Sequence, residues 1–148
     1  MNGWIIDSVD YIFIGILGFL SLVALWIALE RYFYYRHIDL SGFKEREELE
    51  IALGENLTML ASIGSNAPFI GLLGTVVGIM VTFVTIGQSG LVETKEIMVG
   101  LALALKTTAG GILVAIPTIW FYNLLLRRAE VLTARWQMLQ RAKKESRD

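Results

Sequence analysis

Threonines and one lysine stand inside two long apolar segments, and they are the residues here whose types and spacing suggest chemistry. Thr75 and Thr82 occur in the first of these segments, and Lys106, Thr107 and Thr108 in the second. A threonine hydroxyl does not titrate near neutral pH, but it can donate to a carboxylate or order a water in a hydrogen-bonded chain. An ammonium in an apolar span is costly and usually faces protein or water. This set predicts hydrogen bonding to a charged group.

Catalytic and metal-binding sets are missing at the same depth. The chain has one histidine, His37, and no cysteine, which excludes a disulfide framework, a thiolate metal site and a cysteine nucleophile. No Ser/His pair or paired carboxylate falls within the apolar segments. The net charge of −1 gives no indication of nucleic acid binding. We expect no enzymatic activity, no metal, no cofactor and no nucleic acid partner.

Small residues recur at helical spacing around the threonines. In lipid, close helix packing needs such rows, because they let backbones approach and hydroxyls bond across the contact. Ordinary packing is one interpretation of the row, and a wet crevice around another helix is the other; periodicity does not decide between them. The residues predicted to pack helices are Gly71, Gly74, Gly78, Gly100, Ala104, Gly111 and Pro117.

The apolar segments are long enough to cross a membrane. Hydrophobic residues make up 55% of the 148-residue chain and charged residues 18%, and about 20 helical residues cover the hydrocarbon core. We predict three spans at about 11–29, 67–88 and 97–126, forming one integral membrane domain of the all-α class. A cleaved signal peptide is the competing interpretation of the first span. Asp7 and Asp10 precede it without any basic residue, so we expect it to be retained.

Basic residues sort by segment and predict a topology. Eleven of the 13 lysines and arginines lie between Glu30 and Glu55 or after Leu126. By the positive-inside rule, these segments are cytoplasmic, the N-terminus is outside and the C-terminus is inside. Lipid contacts at the inner interface are expected from the aromatic residues that follow the first span and end the third.

Two cytoplasmic segments, about 43–60 and 127–145, carry apolar stripes backed by charges. Leu49, Leu53, Leu57 and Leu60 recur every three or four residues, as helices require. We expect two amphipathic helices that extend spans two and three as a stalk. The alternative is a pair of helices lying on the membrane surface, which the nearby acidic residues disfavour beside anionic lipid.

Two motifs resemble those of a known family. Residues 61–80 read ASIGSNAPFIGLLGTVVGIM, and residues 100–117 read GLALALKTTAGGILVAIP, followed by Tyr122 and Asn123. They are similar to the second-span and third-span signatures of ExbB/TolQ proteins. The MotA relatives of that family have four spans, so the three-span branch fits better.

The resemblance implies a function. In that family a pentamer of such subunits in the bacterial inner membrane encloses helices of an ExbD/TolR-type partner, and proton flow drives work on a TonB/TolA-type protein. An ExbB-like subunit is the first expectation; a TolQ-like subunit for envelope maintenance, or a structural scaffold without proton conduction, are the alternatives.

The resemblance also assigns residues. Thr75 and Thr108 match the threonines that face the pore and the partner's aspartate in this family, and Thr82, Thr107 and Lys106 are added as pore-lining candidates. Every acid near the spans flanks them, from Asp10 to Glu96, so we expect the proton-carrying carboxylate to come from a partner.

Leu103 departs from the family pattern, because many members carry glutamate there, and Lys106 follows one turn later. Lys106 either snorkels to the outer interface or points inward to pair with a partner's acid. The role of the family's glutamate does not transfer to Leu103.

Overall fold

Four α-helices make up most of the chain. The computed structural model describes residues 3–90 and 94–147, with the side chains of residues 3–7 and 89 outside the described part. In chain order the helices are α1 (Gly3–His37), α2 (Arg46–Gly54), α3 (Leu57–Ser89) and α4 (Thr94–Glu145), with a 3-10 turn at Leu40–Gly42. All regular structure in these ranges is helical. The all-α prediction is confirmed.

Three helical stretches are long and apolar enough, by length and composition, to cross a membrane. They are Ser8–His37, Arg46–Gln88 and Thr94–Glu145, and each contains one of the predicted spans. Pro68 and Pro117 lie inside α3 and α4 without ending them. Span three and the amphipathic segment after it therefore form one helix of 52 residues, about 78 Å long at 1.5 Å per residue.

The segment 43–60 is not one helix. We expected helix throughout it, but α2 ends at Gly54 and α3 begins at Leu57, with Asn56 in the left-handed region at φ 62°. Side chains of α1 support the break. Arg31 Nη1 donates to the carbonyl of Ala52 at 3.1 Å, and the Tyr35 hydroxyl donates to the carbonyl of Leu53. These α1 side chains satisfy carbonyls that the end of a helix leaves without partners.

The leucine stripe of this segment survives the break and is buried. Leu49, Leu53, Leu57 and Leu60 are at most 5% exposed and pack in one cluster with residues of α1 and α4. The other buried members of that cluster are Ala24, Ile27, Ala28, Tyr35, Ile63, Leu125, Ala129 and Trp136. This end of the molecule is therefore a core built from all four helices.

The loop between α1 and α2 is tied to α4. Asp39 accepts hydrogen bonds from the backbone nitrogen of Ser41 at 2.9 Å and from its hydroxyl at 2.6 Å. These two bonds hold the pKa of Asp39 below its ordinary value. Farther along the loop, Trp136 Nε1 donates to the carbonyl of Phe43 at 3.1 Å, so the loop is fixed to α4.

Large apolar side chains cover the outside of the helices. Leu22, Trp26 and Leu113 are each at least 69% exposed. An apolar exterior of this extent belongs against lipid or against other protein chains.

Candidate functional site

Helices α3 and α4 touch through their backbones at the small-residue row. A Cβ added to Gly71 would lie 2.7 Å from the carbonyl oxygen of Thr107 and 3.1 Å from the Cα of Gly111. A Cβ added to Gly111 would lie 2.5 Å from the carbonyl oxygen of Ala67. A larger side chain at either glycine would force the helices apart, so the row brings two backbones together as lipid-embedded helices require.

The other residues predicted to pack helices also lie between helices, except Pro117. A Cβ on Gly78 would meet the Cβ of Ala104 at 3.2 Å, and one on Gly100 would meet the Thr82 hydroxyl oxygen at 2.5 Å. Gly74 faces the Thr107 methyl group and the Phe13 ring. Pro117 lies on α4 but is exposed, so it takes no part in this contact.

The two threonines singled out by sequence meet across the contact. Thr75, 8% exposed, donates from Oγ1 to the carbonyl of Ala104 at 2.8 Å and shares a direct hydrogen bond with the Thr108 hydroxyl. The Thr108 hydroxyl also lies 3.4 Å from the carbonyl of Gly71. Thr108 is only partly buried. The pair therefore places hydrogen-bonding hydroxyls on both helices, with Thr108 on the more open side.

Thr82 and Thr107 are enclosed more completely. They are 2% and 1% exposed, and Thr82 donates to the carbonyl of Gly78, one turn earlier in its own helix, at 2.8 Å. Within this chain both lie between helices rather than on an open face. That they line a pore stays a prediction.

Lys106 pairs with an acid of its own chain. Its Nζ lies 2.7 Å from Oδ2 of Asp10, and the Thr107 hydroxyl donates to Oδ1 of the same carboxylate at 3.0 Å. Asp10 is 8% exposed, and the first membrane-length stretch, Ser8–His37, includes it. The ion pair joins the start of α1 to α4, and the expectation that all acids of the chain flank its spans stays a prediction.

This pair between α1 and α4 was not predicted, although an ion pair buried between helices is a usual way to accommodate a charge in an apolar span. The lone Lys106 was the available signal, since an ammonium in an apolar helix calls for an acid. Asp7 also precedes the first predicted span, but its side chain lies outside the described part of the chain, and so does Glu93.

A second polar cluster, missed by the sequence reasoning, lies at the other end of α1. Arg31 is 3% exposed, forms an ion pair with Glu30 and approaches Glu55 Oε2 at 3.7 Å. Its guanidinium also lies 4.6 Å from the ring centroid of Tyr34, as in a cation–π contact. In the sequence, Arg31 is one of the basic residues that predict the topology. Its helical spacing from Tyr34 and Tyr35 gave no indication that α2 would dock there.

Among residues 3–90 and 94–147 no group of three or more histidine, aspartate or glutamate side chains could hold a metal ion. The described site is thus made of hydroxyls, backbone carbonyls and one ion pair. Such groups can order water, orient a carboxylate and pass protons along hydrogen bonds.

Three apolar helices that enclose hydroxyls and an ion pair define a multi-pass α-helical membrane protein with a polar centre. A model of the MotA/TolQ/ExbB proton channel family matches residues 35–138. The chain belongs to that family.

Relatives of similar length also support membership of this family. The chain is 50% identical over 132 residues to the "Putative biopolymer transport protein ExbB-like 2" of Helicobacter pylori strain 26695, covering 89% of this chain and 88% of the relative. It is 48% identical over 134 residues to the "Biopolymer transport protein ExbB" of H. pylori strain J99, covering 90% and 92%. It is 47% identical over 133 residues to the protein of that name in Aquifex aeolicus, covering 90% of each. The ExbB-like resemblance is confirmed.

Proposed function

We propose that this chain is the ring-forming subunit of a proton-driven motor in the bacterial inner membrane. Five copies enclose an ExbD-like single-span partner, and the proton gradient energises a TonB-type protein for outer-membrane transport. The observation that carries the proposal is the Thr75–Thr108 hydrogen bond, because it joins the two threonines of the family motifs across the α3–α4 contact. An ExbB-like role is preferred to a TolQ-like one because the relatives quoted above bear ExbB names.

The partner's carboxylate is the mobile proton carrier in this proposal. Protons crossing down the gradient neutralise and release that carboxylate in turn, with about 2.3 kcal/mol available per charge per 100 mV of membrane potential. Thr108 is partly open, with Thr75 behind it. Rotation of the Thr108 hydroxyl away from Thr75 lets it donate to the carboxylate in its charged form.

The remaining surfaces are assigned accordingly. The basic segments face the cytoplasm, where α2 and the last third of α4 form a helical stalk with the end of α1. The extensive apolar exterior, including Leu22 and Leu113, is divided between lipid and neighbouring subunits.

Purification of the chain from its native membrane in mild detergent tests the proposed assembly. We expect a pentamer that retains a single-span protein carrying a membrane aspartate, measured by native mass spectrometry. A monomer without such a partner would contradict the proposal.

The threonine roles are tested by Thr75→Val and Thr108→Val, which keep side-chain shape and remove the hydroxyl. Loss of a hydrogen bond to a charged group costs about 1.5–3 kcal/mol, so we expect partner-dependent transport to fall roughly 10- to 100-fold at equal expression. Thr133→Val is the matched control, since Thr133 donates only to the carbonyl of Ala129 in its own helix, at 3.0 Å. Full activity in both test variants, together with no proton conductance, would favour a structural scaffold.

A further inference from the structure

We propose that Asp10 is a second proton-exchanging carboxylate of the motor, supplied by this chain, and that its protonation releases Lys106. The inference rests on the proposed function and deepens it. It starts from the juxtaposition of Asp10, Lys106 and Thr107 where α1 meets α4.

Both oxygens of Asp10 are engaged in the way an ionised carboxylate requires. Oδ2 faces the Lys106 ammonium at 2.7 Å and Oδ1 accepts from the Thr107 hydroxyl at 3.0 Å. The carboxylate itself is 8% exposed. A charge this enclosed is tolerated only with such partners, so its charge state and the position of Lys106 depend on each other.

The pair is open on one side only. The side chain of Lys106 is 53% exposed while that of Asp10 is 8% exposed. The ammonium therefore has room to leave Asp10 on its flexible stem, whereas the carboxylate is held by α1 and Thr107. Lys106 is the moving member and Asp10 the stationary one.

Few other charges face Asp10. Helix α3 contributes glycine at this level and carries no ionisable side chain from Leu57 to Ser89. On α1 the adjacent Tyr11 is 71% exposed and turned outward, and the side chain of Asp7 is outside the described part. From α4 the ionisable group is Lys106.

The site is continuous with the threonine pair. Thr107 binds Asp10 with its hydroxyl, and the next residue, Thr108, binds Thr75. Gly74, the neighbour of Thr75, contacts the Thr107 methyl group. A change at Asp10 therefore acts one residue away from the hydroxyl that faces the partner's carboxylate.

The exchange step balances in protons and charge. A hydronium ion from the outer side gives its proton to the Asp10 carboxylate and becomes water. The protonated, neutral Asp10 then donates a hydrogen bond to the Thr107 hydroxyl oxygen. Lys106 keeps its own proton, leaves Asp10 and pairs with the partner's ionised carboxylate. Asp10 then passes the proton through water to the partner's carboxylate, which releases it on the inner side, and Lys106 returns to the ionised Asp10. One proton crosses in each cycle.

A static ion pair is the competing role, and charge-neutral double substitution separates the two. If Asp10 only compensates Lys106, then Asp10→Asn leaves an unpaired ammonium, and adding Lys106→Gln removes the defect. If Asp10 exchanges protons, the double variant stays impaired, because asparagine cannot titrate. Asp10→Glu restores a titrating group in either case.

The experiment measures partner-dependent proton flux across pH with a pH-sensitive dye. It uses assembled complexes of the full chain with its partner in liposomes, and variants are compared after size-exclusion chromatography. We expect Asp10→Asn and the double variant Asp10→Asn/Lys106→Gln to lose at least about 100-fold in flux, the usual scale for a positioned proton-transfer group. Asp10→Glu should conduct with a displaced pH midpoint. Glu96→Gln, an exposed carboxylate near the start of α4, is the matched control and should conduct normally.

Flux at the wild-type level in the double variant, or an unchanged pH profile in Asp10→Glu, would overturn the assignment of Asp10. The proposed function fails separately. If the wild-type complex shows no partner-dependent flux, the motor itself is refuted. If the wild type conducts and Thr75→Val impairs it while the double variant conducts fully, only the role of Asp10 is lost.

Discussion

At the scale of single residues, Gly111 illustrates how the absence of a side chain sets the spacing of two helices. The atoms that an added Cβ would meet are the carbonyl oxygen of Ala67 and the backbone of Gly71. Backbone atoms cannot rotate away as a side-chain tip can. The α3–α4 spacing, and with it the Thr75–Thr108 hydrogen bond, depends on glycine at position 111, whose side chain is a single hydrogen atom.

Gly111→Ala should therefore lower stability, although alanine is the better helix former. Overpacking of this kind costs about 1–3 kcal/mol. We expect a lower melting temperature in detergent, followed through the intrinsic fluorescence of the four tryptophans. Gly18→Ala is the control, because a Cβ there would meet nothing within 4 Å in the described part of the chain beyond its own helix backbone and chain neighbours. Equal melting temperatures for the two variants would show that the helices can separate without cost.

At the scale of helices, side chains at the end of α1 support the end of α2. The Arg31 guanidinium and the Tyr35 hydroxyl donate to consecutive carbonyls, those of Ala52 and Leu53. An intact α2–α3 helix would use those carbonyls internally. The two-residue turn at Glu55 and Asn56 is thus supported by residues of a different helix, and docking of α2 depends on them.

Arg31→Met should loosen α2 while leaving the spans assembled. Hydrogen bonds made by charged groups contribute about 1.5–3 kcal/mol, so amide hydrogen exchange over residues 46–54 should accelerate roughly 10- to 100-fold, as measured by mass spectrometry. Arg36→Met, on the same helix at an exposed site where the arginine contacts only Tyr32 among the described bonds, is the matched control. Unchanged exchange in Arg31→Met would mean that the leucine cluster alone holds α2.

At the scale of the whole molecule, the orientation of the chain decides which polar cluster faces which compartment. In the topology that the eleven basic residues of two segments predict, the Arg31 cluster lies at the cytoplasmic side and the Asp10–Lys106 pair lies toward the outer side. Protons driven inward would then reach Asp10 first.

Single cysteines test this orientation without background, because the chain has none of its own. In spheroplasts we expect a membrane-impermeant maleimide to label Lys95→Cys at once. Ser41→Cys and Lys144→Cys should react only after the membrane is permeabilised. The reverse pattern would invert the topology and place Asp10 on the cytoplasmic side.

The sequence predicted features that depend on neighbours along the chain. Apolar length located three helices long enough to cross a membrane, and the spacing of residues such as Gly71 and Gly111 identified the row along which α3 and α4 meet. The Asp10–Lys106 pair was not predicted, because its members are 96 residues apart and periodicity within one helix does not say which helix faces it. The end of α2 was missed for the same reason, since Arg31 lies 21 residues before the carbonyl it binds.

The uninterrupted length of α4 makes it a lever. Lys106 and Trp136 are 30 residues apart in one helix, or about 45 Å at 1.5 Å per residue. If release of Lys106 from Asp10 tilts α4 by about 5° at that level, the Trp136 end moves by about 4 Å in a straight rod of this length. Trp136 donates to the carbonyl of Phe43. Proton uptake by Asp10 near one end of α4 would therefore move the α1–α2 loop and α2 near the other end.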